Sequence, residues 1–417
     1  MFPLRFIPNR RLINKAMNVV ILHAGTSGFF PRYYEAIASA VRKDGGQVGL
    51  LVPHSGRNMR NVLPNQRMWG TRLNWFIHSR LHKLFGVQDI FSFFETIDLI
   101  RKIKAYKPDV IHFNVINDKI INMPLLVRYI NRNNIPVIWT QHDCRAFTGQ
   151  CTYFDEVNCS RWKIGCGNCP ICETLVDNTH FTWLIRRKYH VGIKKLILVT
   201  PSLWLADFVK ESFFKVHLVR VIYNGVDIER FSKKVNFNVK EKYDICKNKK
   251  IVLGCAIAWE GRKGMNYFKE LSLLLPDNYQ IVLVGNIDNE RKMELINKGI
   301  ICTGRTNSFE EMVAWYQTAS VFCNPTLADN FPTVNIEALA SGTPVVTFKT
   351  GGSPEAIDEK TGIVVSQGDV DALCKAVIEV VENPERYSYE NCILRSQKFS
   401  NNQYDLYIRT FHEILNM

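Results

Sequence analysis

The feature that most constrains this chain is an alternation of short apolar runs with amphipathic stretches. It proceeds through residues 19–200 and starts again at 251. In the first half the strand candidates are Val19–Leu22, Val48–Val52, Val110–Phe113, Pro136–Thr140 and Leu196–Thr200. Helical periodicity falls between them at Tyr33–Arg42, Phe94–Ala105 and Leu125–Arg132. After 251 the runs Ile251–Gly254, Ile281–Val284, Ile300–Cys302, Val321–Cys323 and Val345–Phe348 are separated by helical patterns at Lys263–Leu274, Phe309–Gln317 and Asn335–Ala340. Strands that alternate with helices form parallel sheets covered on both faces. A chain of 417 residues also exceeds one ordinary core.

The expected fold is therefore α/β, with two doubly wound domains facing across a cleft. The first spans 1–222 and carries a cysteine-rich insert at 144–175; a linker covers 223–250; the second domain spans 251–395. Residues 396–417 are expected to form a helix that packs back on the first domain. Ligands of such sheets sit beyond the carboxyl ends of the strands, so the site belongs between the domains.

The most informative stretch runs from Asn324 to Glu355. Asp329 stands in the loop after a strand, and Glu337 follows eight residues later inside a helix that starts near Pro332. The backbone amides of Phe331, Pro332, Thr333 and Val334 (those that have one) lie at that helix N-terminus, which suits a diphosphate. A carboxylate one turn further in can accept two hydroxyl hydrogen bonds, as a ribose requires. A second signal, Trp259-Glu260-Gly261-Arg262-Lys263-Gly264, follows the strand at 251–255. Cations at a strand end can neutralise a departing diphosphate.

Together these residues resemble the acidic-x7-acidic motif and phosphate-binding lysine of retaining glycosyltransferases of family four, which have the two-domain GT-B fold. The Ala338–Val346 stretch and Gly351-Gly352 match the family as well, although it usually has glutamate where this chain has Asp329. The resemblance implies that Glu337 binds the donor ribose and that Asp329 contacts the sugar near its reacting carbon. Lys263, with Arg262, would hold the diphosphate, and the Gly304-Arg305-Thr306 loop would meet the base. In the first domain, Gln141-His142-Asp143 resembles the family's His-Asp pair, with His142 beside the donor sugar. Gly28, in the turn Gly25–Gly28, corresponds to the loop that approaches donor phosphate and acceptor. Asp329 and His142 are thus the candidate catalytic residues. The other donor contacts are Gly28, Arg262, Lys263, Arg305, Phe331, Pro332, Thr333, Val334 and Glu337.

The implied activity is transfer of a sugar, with retention, from a UDP- or GDP-linked donor to a lipid-linked glycan in cell-surface polysaccharide assembly. No paired-aspartate clamp stands at a strand end, so no catalytic divalent ion is expected. Six of the chain's 12 cysteines fall between 144 and 172, and Cys166-Gly167-Asn168-Cys169 has metal-knuckle spacing. With Cys151 and Cys159 they make a candidate structural zinc site, four sulfurs in tetrahedral array.

The formal net charge is +14, concentrated at the front. Residues 1–80 hold twelve lysines or arginines against only Glu35 and Asp44. Arg57 to Phe85 interleaves bases with Trp69, Leu73, Trp75, Phe76, Ile77, Leu81 and Leu84, a pattern suited to a headgroup layer. No apolar run reaches membrane-spanning length, and Arg5, Arg10, Arg11 and Lys15 interrupt any signal-like stretch. The expectation is a cytoplasmic protein, peripheral on the inner face of the membrane. Two alternatives are a nucleotide-sugar epimerase of the same fold and a zinc-containing nucleic-acid binder. The second leaves Lys263, Asp329 and Glu337 at strand ends unexplained, so no nucleic-acid partner is expected.

Overall fold

The computed structural model describes residues 16–26, 28–54, 62–116 and 121–417, the side chain of Glu156 excepted. Residues 1–15, Ser27 of the Gly25–Gly28 turn, and Arg57 and Arg60 of the basic front lie outside the described residues.

Among the described residues the first domain holds one parallel sheet. Its strands are β1 (Asn18–Leu22), β2 (Gln47–Pro53), β3 (Gln66–Trp69), β4 (Val110–Phe113), β5 (Val137–Thr140), β6 (Leu196–Thr200) and β7 (Leu218–Val221), in the order β3-β2-β1-β4-β5-β6-β7. The second sheet comprises β8 (Lys250–Ala258), β9 (Tyr279–Asn286), β10 (Ile301–Gly304), β11 (Val321–Asn324), β12 (Val345–Phe348) and β13 (Gly362–Val365), in the order β10-β9-β8-β11-β12-β13. Both sheets reverse direction of growth between their first and fourth strands, which opens a crevice at the carboxyl ends there. β4, β5, β6, β11 and β12 are buried along their whole length, because helices cover both faces.

Three strands were not expected from the pattern: β3, β7 and β13. β3 and β7 are the outer strands of the first sheet and β13 an outer strand of the second. An edge strand needs fewer apolar residues, and Gln66-Arg67 or Arg220 disguise it. The pattern at Lys263–Leu274 also divides. A 3-10 turn at Gly261–Lys263 precedes a helix at Met265–Leu274, with Gly264 between them at φ +74°. A Cβ on Gly264 would stand 1.9 Å from the Pro325 carbonyl oxygen, so glycine alone lets this turn close on the loop after β11.

Residues 223–250 are more than a tether. Short helices at Ile228–Ser232 and Val239–Lys242 place Val226, Ile228, Phe231 and Val239 in the second domain's core. The chain ends with a helix at Asp405–Leu415 lying on the first domain. There the Tyr33 hydroxyl donates to that of Tyr407 at 2.8 Å, the Tyr407 and Thr140 hydroxyls are 3.0 Å apart, and Arg220 Nε donates to Glu413 at 3.2 Å.

The two domains also touch directly. The Glu355 carboxylate accepts from the backbone N–H of both Leu203 and Trp204 at 2.8 Å, at the start of the helix Leu203–Glu211. Ser202 Oγ donates to Asn330 Oδ1 at 2.5 Å. An anion at a helix N-terminus is favourable, so this contact favours the apposed arrangement.

Candidate active site

β11 ends at Asn324 and the loop that follows carries Asp329. Its neighbour is the turn at 261–263: Leu327 N–H donates to the Arg262 carbonyl at 2.8 Å, and the Arg262 guanidinium donates to the Ala328 carbonyl at 2.9 Å. This stitching sets Lys263 Nζ 2.6 Å from Asp329 Oδ2, with Arg262 at 3.9 Å from the same oxygen. The two cations and the carboxylate that the sequence placed on separate loops are thus one cluster. Gly351 runs directly behind it at φ +54°, where a Cβ would meet the Asp329 carbonyl oxygen at 1.7 Å. The paired glycines therefore serve the close approach of two loops.

The helix Thr333–Ala340 begins after Pro332 and carries Glu337 one turn in. Thr333, Val334 and Glu337 line the interdomain cleft; Phe331 turns its ring into the core, 4.9 Å from Tyr223. Glu337 accepts from the Tyr316 hydroxyl at 3.0 Å and stands 3.6 Å from Arg32, which reaches over from the first domain. Burial raises the Glu337 carboxyl above its ordinary range, opposed by the Arg32 charge and the Tyr316 hydrogen bond.

The cleft has a volume of about 380 Å³. Gly28, Phe29 and Arg32 form one wall, and Ala256, Ile257, Arg305, Thr306, Val334 and Glu337 the other. A second cavity of about 500 Å³ adjoins it through Phe29, Arg32, Phe309 and Glu337. Spaces of this size take a nucleotide-sized ligand.

His142 follows β5. Its Nε2 is 3.1 Å from Asn114 Oδ1, and its carbonyl accepts from Asn330 Nδ2 at 3.0 Å. Asn330 follows Asp329 in the chain, so His142 meets the Asp329 loop through one residue. Burial pulls the His142 imidazole down to about 4, leaving it neutral at ordinary pH. A neutral ring that donates from Nε2 to Asn114 keeps Nδ1 as an acceptor. Asp143 is directed elsewhere: its Oδ1 accepts from Arg145 N–H at 2.8 Å, within its own loop.

The structure thus sets Gly28, Arg305, Thr333, Val334 and Glu337 along the cleft and joins Arg262, Lys263 and Asp329 in a cluster at the neighbouring strand ends, with His142 joined to that cluster's loop through Asn330. Sequence reasoning missed Arg32, Tyr316, Asn330 and Asn114. Asn330 sat inside the recognised stretch; the others carry no local signal.

The cysteines converge differently. Cys151, Cys159, Cys166 and Cys169 line one cavity of about 20 Å³. Gly149 N–H donates to Cys166 Sγ at 3.1 Å, and Gln150 Nε2 to Cys169 Sγ at 3.7 Å. Donors to sulfur suit thiolates. Among the described residues, however, no three histidine, cysteine or acidic side chains are placed to hold one ion.

Two facing parallel-sheet domains, with cations, two carboxylates and a helix N-terminus converging between them, define a GT-B glycosyltransferase. Residues 31–230 match the model described as Glycosyltransferase Family 4 and residues 249–383 that described as Glycosyl transferases group 1. The chain belongs to family four of the glycosyltransferases, and it is an enzyme of that class. It is 26% identical over 315 residues to WcaC of Escherichia coli strain K12, whose name assigns it provisionally to colanic acid biosynthesis as a glycosyl transferase; the match covers 72% of this chain and 74% of the relative. Its fold is similar to that of a sucrose-phosphate synthase from Thermosynechococcus elongatus (TM-score 0.68, 17% identity, covering 96% of this chain and 99% of the other). It is similar also to Anabaena HepE in complex with UDP (TM-score 0.64, 14% identity, covering 95% and 99%).

Proposed function

We propose that this glycosyltransferase takes a sugar from a UDP- or GDP-linked donor and attaches it, with retention, to a hydroxyl of a lipid-linked glycan in cell-surface polysaccharide assembly. The observation that carries this reading is the Lys263–Arg262–Asp329 cluster at the ends of β8 and β11, next to the cleft lined by Cys255 and Glu337, since Lys263 and Glu337 are both within electrostatic reach of Cys255. Lys263, Arg262 and the amides that open the helix Thr333–Ala340 hold the diphosphate, and Glu337 accepts from the ribose. As the bond from the anomeric carbon to the diphosphate oxygen breaks, positive charge grows on the sugar and negative charge on the leaving group. Asp329 faces the first and the cations the second. The acceptor hydroxyl forms the new bond and passes its proton to the oxygen of the departing diphosphate, which leaves as the nucleoside diphosphate. His142, neutral and oriented by Asn114, positions the sugar.

A membrane acceptor is supported by the helix Arg72–Phe85. Trp69 and Trp75 pack inward, whereas Leu73 (67% exposed), Phe76 (51%), Ile77 and Leu84 remain outside on one face with Arg80 among them. Apolar side chains ringed by arginine and lysine fit an anionic headgroup layer. Among the described residues no helix is long and apolar enough to cross a membrane. The proposed location is the inner face of the cytoplasmic membrane.

The test incubates the protein with individual UDP and GDP sugars and either lipid-linked saccharide in anionic vesicles or the same saccharide free in water. Transfer onto the vesicle-borne acceptor with an unchanged anomeric configuration, read by NMR, is expected; melting points raised by one nucleoside diphosphate should accompany it. Inversion, or no shift with any nucleotide, overturns the reading.

The proposal includes one structural zinc held by Cys151, Cys159, Cys166 and Cys169, whose sulfurs would draw together on the ion, and no catalytic divalent ion. Elemental analysis should find about one zinc per chain, and a chelator confined to loosely bound ions should leave turnover undiminished. Metal-free, folded protein or strict Mg²⁺ dependence would refute the respective half.

A further inference from the structure

Tyr153 lies in the cysteine-bearing stretch, yet it stands at the donor cluster of the opposite domain. The Arg262 guanidinium is 5.9 Å from the centre of its ring, within the range of a cation–π contact. Tyr153 is also within electrostatic reach of Asp329 and Asp143. Its loop is held from behind: Cys144 N–H donates to the Thr152 carbonyl at 3.0 Å, and the Arg145 guanidinium to Thr152 Oγ1 at 2.6 Å. On the other side the Trp204 ring lies 6.3 Å away, on the residue whose backbone N–H is bound by Glu355 of the second domain. Among the described residues the Tyr153 hydroxyl has no hydrogen-bond partner. A half-buried donor, fixed in place and unused by the protein, beside a carboxylate and the cations of a ligand site, is placed for a ligand acceptor.

We infer that Tyr153 is a donor-sugar contact supplied by the first domain: its hydroxyl donates to a hydroxyl of the transferred sugar while Arg262 and Lys263 hold the diphosphate. This rests on the donor site proposed above. It gives the cysteine stretch a place in the reaction, since the loop between Cys151 and Cys159 delivers the side chain. It also makes the sugar pocket complete only when the domains are apposed, so that sugar selection depends on both of them.

The test compares wild type with Tyr153→Phe, which keeps the ring contacts with Arg262 and Trp204 and removes only the donor. Binding of UDP and GDP is measured beside that of a panel of UDP- and GDP-hexoses and hexosamines, with transfer or donor hydrolysis. The variant should melt with wild type and bind the nucleoside diphosphate within about twofold. It should lose about tenfold in affinity for the matching nucleotide sugar, and a similar factor in kcat/KM, as for one lost hydrogen bond. Equal affinities and rates for both proteins overturn the inference. So does an equal loss for the diphosphate and the sugar nucleotide, which would place Tyr153 behind Arg262 as a positioning residue. A wild-type protein that binds the diphosphate but gains nothing from any sugar also overturns it. If wild type binds no nucleotide at all, the donor site itself is wrong, an outcome distinct from the others.

Discussion

Lys263→Met should lose about 10³-fold in kcat/KM while folding and melting almost as wild type does. The reasoning starts from position. Lys263 ends the 3-10 turn after β8, and its ammonium is 2.6 Å from Asp329. Both side chains keep some exposure, 25% for the lysine and 17% for the aspartate, so the pair is neither desolvated nor expensive to lose. An exposed or partly exposed ion pair contributes about 1 kcal/mol or less to stability, and Arg262 remains beside the carboxylate. In the reaction proposed above the same ammonium meets the charge that grows on the leaving diphosphate, and a preorganised cation there acts mainly in the transition state. The loss should therefore fall on kcat more than on KM. Arginine is a poor substitute, because a planar fork cannot occupy the point-like position against Asp329 without displacing Arg262. Steady-state kinetics with the cognate donor, beside a thermal melt, decide the matter. A variant within tenfold of wild type would remove Lys263 from the chemistry.

What the sequence could and could not disclose follows from how each residue gets its place. β4, β5 and β12 are buried on both faces, so their apolar runs are continuous and legible. β3 and β7 are edge strands with polar residues, and β13 is a four-residue edge strand, so only the neighbouring strand reveals them. Lys263, Asp329 and Glu337 were legible because each stands at a fixed offset from a strand end, where parallel sheets put their ligands. Arg32 and Tyr153 were not, because their partners, Glu337 and Arg262, lie on the other domain. Asn114 likewise acquires its role only when β4 and β5 pair and set it beside His142. The C-terminal helix shows the same dependence: Tyr407 meets Tyr33 and Thr140 across most of the chain's length. Local spacing records which strand end a side chain occupies, whereas domain apposition decides what it faces.

Glu337→Gln should separate activity from stability, lowering the first and raising the second. The carboxylate accepts from the Tyr316 hydroxyl at 3.0 Å, and its other oxygen lies 3.6 Å from Arg32. In the donor complex proposed above it accepts from the ribose hydroxyls, and each hydrogen bond to a charged acceptor is worth about 1.5–3 kcal/mol. An amide keeps one acceptor and turns the other into a donor, so kcat/KM should fall about 10²-fold, mostly through KM. Stability moves oppositely. Burial raises the Glu337 carboxyl, meaning that the folded protein binds its proton more tightly than the unfolded chain does. The stability this adds is present at pH below the ordinary carboxylate value and disappears as pH rises through the raised one. At neutral pH wild type carries an unfavourable buried charge that glutamine lacks. Arg32 loses its partner, but with its side chain 61% exposed it is readily solvated. The variant should thus be about 1 kcal/mol more stable at pH 8, with a smaller advantage at pH 5. Such a trade of stability for function is expected of a charge kept in a cleft for its ligand. Melting curves at the two pH values, with donor titrations at pH 8, test both halves. An advantage equal at both pH values would deny that the charge causes it, and an unchanged KM would deny that Glu337 meets the donor.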